Sequence, residues 1–455
     1  MFKCGLEIHQ RLSGRKLFSY CYFDGVQGKQ DFVLVRKLSA VVGETGVVDA
    51  ASAFESKKHK FIEYVGDFDT ASLVESDEEP PLEVSEDALR AVLVLCKALN
   101  ARIIDEIHFM RKIITDGSNT SGFQRTALVG VNGFIETKKG RVGIQSIALE
   151  EESAGIVDKG ENKFRLDRLG VPLVEIATAP DIVDGEHARE TAELLGGLLR
   201  DSGLVQRGLG TIRQDLNVSV GHDRVELKGV QDLSLLSELI ENEAERQKKE
   251  GVRQGGETRV IKGVSSEFMR PLATAARMYP ETDVLPIVIS KELFESSDVE
   301  IISSSEKLDS LLALGVGKQL AEKLSKASEY ALFKFLVETK VETNFIASTL
   351  LETLVSLRRE GVEVEKISRE QLKDLFTFLV VKKIVKTAVV EVLRELPSGK
   401  SVQEIINEKN LRRMGVGEVR KLLALYPDKK KAFGEIMRKY RLNVDAADVQ
   451  ELLNE

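Results

Sequence analysis

The sequence predicts an α+β fold, an antiparallel sheet with one dry and one wet face followed by an all-helical region. Three observations carry that expectation. Short runs alternate apolar and polar residues, as in GLEIHQRL (5–12), IRQDLNVSV (212–220) and VELK (225–228); a period of two marks strands buried on one side only. Acids stand inside two otherwise apolar runs, GIQSIALEE (143–151) and VPLVEIA (171–177). Past Ser303–Ser305 the alternation gives way to helical patterning, interrupted only by Pro397 and Pro427.

In the first run, Glu7, His9 and Arg11 share a face opposite Leu6, Ile8 and Leu12. Side chains two apart on a strand lie roughly 6.5–7 Å from each other, so Glu7 and His9 are spaced to flank one ion, although a solvated strand face looks the same. DEEPP (77–81) breaks the chain before a helix over 85–100, in which Cys96 reads as a buried, inert thiol. TDGSNTSGFQRT (115–126) has no period and is rich in backbone donors and hydroxyls. It reads as a plain turn or as a phosphate cradle built on Ser118 and Arg125.

Alternation then places Glu151 with Ile147 and Leu149, and Glu175 with Val171 and Leu173. A carboxylate on a buried face costs several kcal/mol unless it is paired or bound to metal. Two of them suggest a cation, and strand ends at the sheet rim would also accommodate them. A glycine-terminated helix is expected over 185–203. In the later runs Arg213, Asp215, Asn217 and Ser219 share one polar face, and Glu226 and Lys228 another. Together with Glu7 and His9 they make a wet surface suited to a nucleotide–metal site, acids holding Mg²⁺ and bases neutralising phosphate oxygens. Arg270 and Arg277, in RPLATAARMYPETDV (270–284), are placed to reach phosphates.

The 455 residues allow two or three domains. Boundaries are expected at 1–298, 299–396 and 397–455, with ELPSGK (395–400) as the second joint. A net charge of −8 argues against indiscriminate nucleic-acid binding by the whole surface. Residues 409–441, however, hold eleven Lys and Arg against three Asp and Glu, a local +8. That run reads as a phosphate-backbone contact surface or as a solvated helical face. No apolar run approaches the roughly 18 residues of a membrane span, no signal-peptide pattern opens the chain, and Cys4, Cys21 and Cys96 offer no disulfide framework. A reducing cytoplasm fits. There is no G-x-x-x-x-G-K-[ST], no G-x-G-x-x-G after a strand and no G-x-S-x-G elbow.

Taken together, GLEIHQRL, DEEPP, DGSNTSGFQRT, IALEEESAG (147–155), LDRLGVPLVEIATAPDI (166–182), IRQDLNVSV, ELKGVQDL (226–233) and RPLATAARMYPETDV resemble the catalytic subunits of tRNA-dependent amidotransferases. The likeness is strongest to the archaeal, E-type branch of glutamyl-tRNA(Gln) amidotransferases. KAFGEIMRKYRLNVDAADVQELLNE (431–455) resembles the family's tail domain. The resemblance implies a cradle-shaped antiparallel sheet like that of glutamine synthetase and guanido kinases, then a helical domain and a small helical tail. It implies a two-step reaction: ATP phosphorylates the side-chain carboxylate of glutamate misacylated onto tRNA(Gln), and ammonia from an asparaginase-like, D-type partner displaces the phosphate. A heterotetramer of two D-type and two E-type subunits is implied as well.

Carried over residue by residue, the family's catalytic and metal-binding set falls on Glu7, His9, Glu151 and Glu175. Nucleotide and phosphate contacts are expected from Arg11, Ser118, Arg125, Arg213, Asp215, Lys228 and Arg277. Those to tRNA are expected from Lys409, Arg412, Arg413, Lys429, Lys430, Arg438 and Lys439. Many relatives carry zinc-binding cysteines where this chain has Ser19, Cys21 and Ser72, which speaks against a structural zinc. The large domain that E-type relatives insert near residues 252–262 is also missing. Two other functions fit the scaffold, a non-catalytic tRNA-binding protein and an ATP-dependent ligase acting on a free amino acid. Retention of all four catalytic residues argues against the first, and the basic helical tail against the second.

Overall fold

One large sheet organises the first part of the computed structural model. Its strands are β1 (Phe2–Arg11), β2 (Phe109–Ile113), β3 (Phe123–Thr137), β4 (Gly140–Glu151), β5 (Pro172–Thr178), β6 (Ile212–Val220), β7 (Val225–Lys228), β8 (Glu257–Lys262), β9 (Ser265–Pro271) and β10 (Met278–Pro280). They lie in the order β9-β8-β7-β6-β1-β5-β4-β3-β2-β10, and Arg102–Ile103 adds to β3 off this path. The structure describes residues 2–454 apart from positions 24, 26, 27, 58–60, 159, 161, 222, 427 and 428. Contacts divide the chain into two units, Met1–Ile301 and Ile302–Glu455.

The three alternating runs become β1, β6 and β7, side by side, with β1 near the centre. Their apolar residues face three helices: α1 (Glu86–Ala98), α2 (Gly185–Asp201) and α3 (Leu236–Glu250). Ile8, Ile147, Leu149 and Val174 pack with Leu89, Val92 and Leu195, and Leu6, Leu216 and Leu227 pack with Ala188, Leu236 and Leu239. Ser85 caps α1 by accepting from the Ala88 N–H at 3.4 Å. Burial pushes the Cys96 thiol up to about 12, as an inert core cysteine requires.

The expectation of an antiparallel sheet holds for every neighbouring pair on this path but one. β7 and β8 run parallel, because α3 returns the chain to the end from which β7 started.

Topology also bends the sheet. Its outermost strands β9 and β10 are joined directly by Leu272–Arg277. Ten flat strands would set their edges roughly 43 Å apart, whereas this link reaches at most roughly 25 Å. The sheet must therefore curve, and because Leu272 and Ala273 of the link line one cavity with Glu7 and His9, the polar face is the concave one.

A smaller four-stranded sheet (Phe32–Arg36, Ile62–Gly66, Lys163–Arg165 and Gly155–Asp158) packs around Tyr64 and Phe164. The second unit is helical, with one apolar cluster running from Leu311 to Leu411 and another from Met414 to Leu453. Val402, Ile405 and Ile406, which the sequence assigns to the tail, belong to the first of these clusters. Among the described residues no helix is long and apolar enough to cross a membrane.

Candidate active site

The concave face of the sheet floors a cavity of about 860 Å³. Register explains what lines it. On β1, Glu7 and His9 point the same way; His9 stands opposite Glu175 on β5 and Glu7 opposite Asp215 on β6. Asp215 in turn faces Lys228 on β7. The His9 Nε2 atom lies 3.2 Å from Glu175, 3.6 Å from Glu7 and 3.9 Å from Glu150. Lys112 on β2 pairs with Glu150 and lies 3.4 Å from Glu175, while Lys228 donates to Asp215 at 2.7 Å and sits 3.2 Å from Glu226.

Two groups of potential ligand atoms emerge: Glu7, His9 and Glu175, and Glu7, Asp215 and Glu226. Within each, the atoms lie within 4.8 Å of one another. Glu7 is common to both.

Five carboxylates, Glu7, Glu150, Glu175, Asp215 and Glu226, crowd the inner floor around His9, Lys112 and Lys228, and Arg213, Arg224, Arg270 and Arg277 line the same cavity. Removal from water, with the Glu175 carboxylate beside it, pushes the Glu7 carboxyl up to about 7. Burial opposes charge on His9, but Glu175, Glu7 and Glu150 outweigh it and push the imidazole up to about 9. Burial would raise Glu175 too, yet Lys112 and His9 hold it well below the usual carboxylate range. Carboxylate oxygens clustered within 4.8 Å of one another, with one imidazole nitrogen among them, are a donor set that a divalent cation fits.

Glu151 does not join this cluster. It does share a face with Ile147 and Leu149, but that face packs on the helices. There it accepts from the backbone and the guanidinium of Arg125, at 3.0 and 3.2 Å. The next residue toward the N-terminus, Glu150, points into the cavity. Arg125, expected at a phosphate, is buried between Glu151 and Glu281, to which its Nε donates at 2.7 Å. Ser118 does not line the cavity either; its N–H turns to Asp116 and its hydroxyl to Asn119.

Arg11 is also held away from the cavity, donating to the buried Glu152 at 2.9 Å. Arg213 lines the cavity but grips the same carboxylate with both terminal nitrogens. Asp215, Lys228 and Arg277 do line it, as expected.

Glu152 carries a stability consequence. Burial alone would raise its carboxyl, but Arg213, Arg168 and Arg11 outweigh it and hold the group at about 2, against 4.5 ordinarily. A depressed acid contributes stability that is complete above its unfolded value and is lost as pH falls toward the folded one. Glu152→Gln is therefore expected to cost about 3 kcal/mol at pH 7. Urea denaturation at pH 7 and pH 3 should show its gap to the parent chain narrowing at the lower pH.

The sequence gives no role to Glu150 or Lys112, and it places Glu226 on the wet face among the acids suited to Mg²⁺. Lys112 lacked a signal, because the alternate face of β2 also carries a cation, Arg111, paired with Glu281 and Asp283. At the positions considered for zinc, Ser19 and Ser72 donate to Glu75 at 2.6 and 2.7 Å, with the buried Lys16 ammonium 3.8 Å away. A carboxylate–ammonium pair organises that spot.

In the second unit, Lys409, Arg412 and Arg438 each pair at 2.7 Å with an acid, respectively Glu395, Glu418 and Glu435. All three are solvent-facing pairs, which water screens. Arg413 is different, being mostly buried and clamping Asp448 at 2.8 Å and Asp445 at 3.4 Å. Lys439 lies over the Tyr440 ring. Lys429 and Lys430 open the helix Lys429–Tyr440, and their side chains fall outside the described residues.

Comparison with known proteins matches residues 2–295 to the GatB/GatE catalytic domain and residues 331–455 to the GatB domain. Similar proteins include the E-type subunit of the glutamyl-tRNA(Gln) amidotransferase of Methanosarcina acetivorans, 32% identical over 99% of this chain and 96% of that protein. Its counterparts in Pyrobaculum calidifontis (33%; 100% and 98%) and Methanocaldococcus jannaschii (34%; 92% and 90%) are comparable. The first alignment runs over 612 positions against 455 in this chain, so that relative carries at least 157 positions that this chain lacks. With both of its units matched, the chain belongs to the GatB/GatE family.

Proposed function

We propose that this chain is the synthetase-like subunit of a glutamyl-tRNA(Gln) amidotransferase, converting Glu-tRNA(Gln) to Gln-tRNA(Gln) with ATP and ammonia. The observation that carries this reading is the cluster of five carboxylates on the cavity floor, with Glu7 shared by two potential ligand sets and arginines lining the same cavity. An unactivated carboxylate is a poor acyl group for ammonia; phosphorylation turns its oxygen into a leaving group. Phosphoryl transfer is served by positioning and charge neutralisation rather than by covalent help. Mg²⁺, when bound, would supply the charge that binds ATP phosphates and polarises the transferred group. Glu7, His9 and Glu175 on one side, and Glu7, Asp215 and Glu226 on the other, are the residues that would hold it.

Around that ion, Lys112 keeps Glu150 and Glu175 oriented, and Lys228 does the same for Asp215 and Glu226. The concave sheet supports the likeness to glutamine synthetase and guanido kinases. Ammonia is expected from an asparaginase-like, D-type partner in a heterotetramer of two D-type and two E-type subunits, and three free cysteines suit a reducing cytoplasm.

The solvent-facing cations of the tail are proposed to meet tRNA phosphates. Arg412→Gln combined with Lys439→Gln should weaken tRNA binding, and the slope of log affinity against log salt should shrink by roughly one per lost contact. Filter binding across a salt series measures both. The whole reading is tested by incubating the chain with the asparaginase-like partner, ATP, Mg²⁺ and labelled Glu-tRNA(Gln). Gln-tRNA should form only when every component is present, and formation without ATP would contradict the proposal.

A further inference from the structure

Of the six lysines and arginines lining the cavity, Lys112, Lys228 and Arg213 sit against carboxylates, and Arg224, Arg270 and Arg277 do not. Arg270 and Arg277 line the same cavity, yet among the described residues neither guanidinium has a hydrogen bond or ion pair. The Arg270 Nε is shut off from solvent with no acceptor, an arrangement that native structures rarely leave uncompensated. These arginines sit at the two ends of the link that ties one edge of the sheet to the other. Arg270 is on β9, Arg277 immediately precedes β10, and Leu272 and Ala273 between them also line the cavity.

Contacts outside the cavity hold this link in place. One carboxylate oxygen of the buried Asp49 accepts from the Thr274 N–H at 2.9 Å and from its hydroxyl at 3.0 Å. The other accepts from the Ser52 N–H at 3.0 Å, capping the helix Ala50–Ser56. The Glu44 N–H donates to the Met278 carbonyl at 2.9 Å. Gly43 passes so close beneath that a Cβ there would lie 1.8 Å from the Ala276 carbonyl oxygen. Asp49 does not line the cavity.

We propose that Arg270 and Arg277 form an oxyanion subsite for a phosphate group, and that Asp49, acting through Thr274, is the positioning residue that sets the link at the height this subsite needs. The inference rests on the proposed function and deepens it. Planar guanidinium forks match phosphate oxygens. Arg270 is close enough to Glu226, and Arg277 to Lys112, to influence their ionisation, so the pair flanks the acid cluster from both edges of the sheet; Arg277 also acts on the Asp49 carboxylate, so Asp49 holds the link by charge as well as through Thr274. Phosphate could come from a nucleotide's polyphosphate chain or from the RNA backbone, and the test separates the two.

The experiment uses the full chain and three probes: Mn²⁺, ATP with Mg²⁺, and uncharged tRNA(Gln). Arg270→Gln with Arg277→Gln should weaken ATP binding about 10- to 100-fold, with Mn²⁺ affinity retained. Asp49→Ala should weaken it about 10-fold, Thr274→Val less, and Thr274→Ser, which keeps the hydroxyl, should restore the parent value. A loss confined to tRNA would assign the same subsite to backbone phosphate. Unchanged ATP and tRNA binding in the double arginine variant would overturn the subsite, and loss of Mn²⁺ along with ATP in Asp49→Ala would overturn its positioning role. Absence of Mn²⁺ binding in the parent chain would instead sink the proposed function.

Discussion

Glu175→Gln should lower ATP-dependent formation of Gln-tRNA by at least about 10²–10³-fold, the usual cost of losing one preorganised charged group at a reacting phosphate. Affinity for tRNA should hardly change. The residue lies on β5 directly across from His9, and its carboxylate is the nearest acid to the imidazole, at 3.2 Å. Lys112 and His9 keep it ionised despite burial, so the amide would remove a charge that is present at neutral pH. Backbone pairing and volume are preserved, which separates the chemistry from folding. Single-turnover conversion of labelled Glu-tRNA(Gln), set beside filter binding of the same tRNA, reads both quantities. Normal turnover with lost tRNA binding would contradict the assignment.

The second large effect concerns stability. Arg125→Ala should destabilise the first unit by about 3–5 kcal/mol, the range for removing one partner of a buried ion pair. Its guanidinium sits between Glu151 and Glu281, both buried, and its own backbone N–H donates to Glu151. Removing it would leave the buried Glu151 with only the residue-125 backbone N–H, while Glu281 would keep Arg111. Glu151→Gln should cost less, since the amide oxygen can still accept from the Arg125 N–H, and its effect on turnover should track unfolding rather than chemistry. Urea denaturation with turnover measured on the folded fraction distinguishes these. A fully folded, inactive Glu151→Gln would return Glu151 to the reacting site.

The contrast between Glu150 and Glu151 shows where sequence reasoning reaches its limit. Alternation put Glu7, His9, Asp215, Glu226 and Lys228 on polar faces of β1, β6 and β7, and those faces do form the cavity floor. Each of those runs carries charge on one face only, so its parity is unambiguous. β4 ends in consecutive acids, and both of its faces then offer a carboxylate. The apolar neighbours of Glu151 are compatible with a metal or with the sheet rim, and the resemblance favours the metal. They mark instead the helix-packed side, where Arg125 compensates the charge. Arg125 looked like a phosphate ligand for the same reason, because its partner Glu281 lies 156 residues away in sequence. Periodicity does not encode the curvature of the sheet, which only the family resemblance implies, nor the parallel β7–β8 pair: the first follows from the short link between the edge strands and the second from the return of the chain through α3.

Everything proposed for the cavity requires a divalent ion held on the concave face by Glu7, His9 and Glu175. Electron paramagnetic resonance of the full chain titrated with Mn²⁺ tests this most directly. Protein-bound Mn²⁺ is expected in the parent chain and should be lost in Glu7→Gln and in His9→Ala while the fold, read by circular dichroism, is kept. Mn²⁺ that stays free in the parent chain, or that binds equally well in both variants, would contradict it.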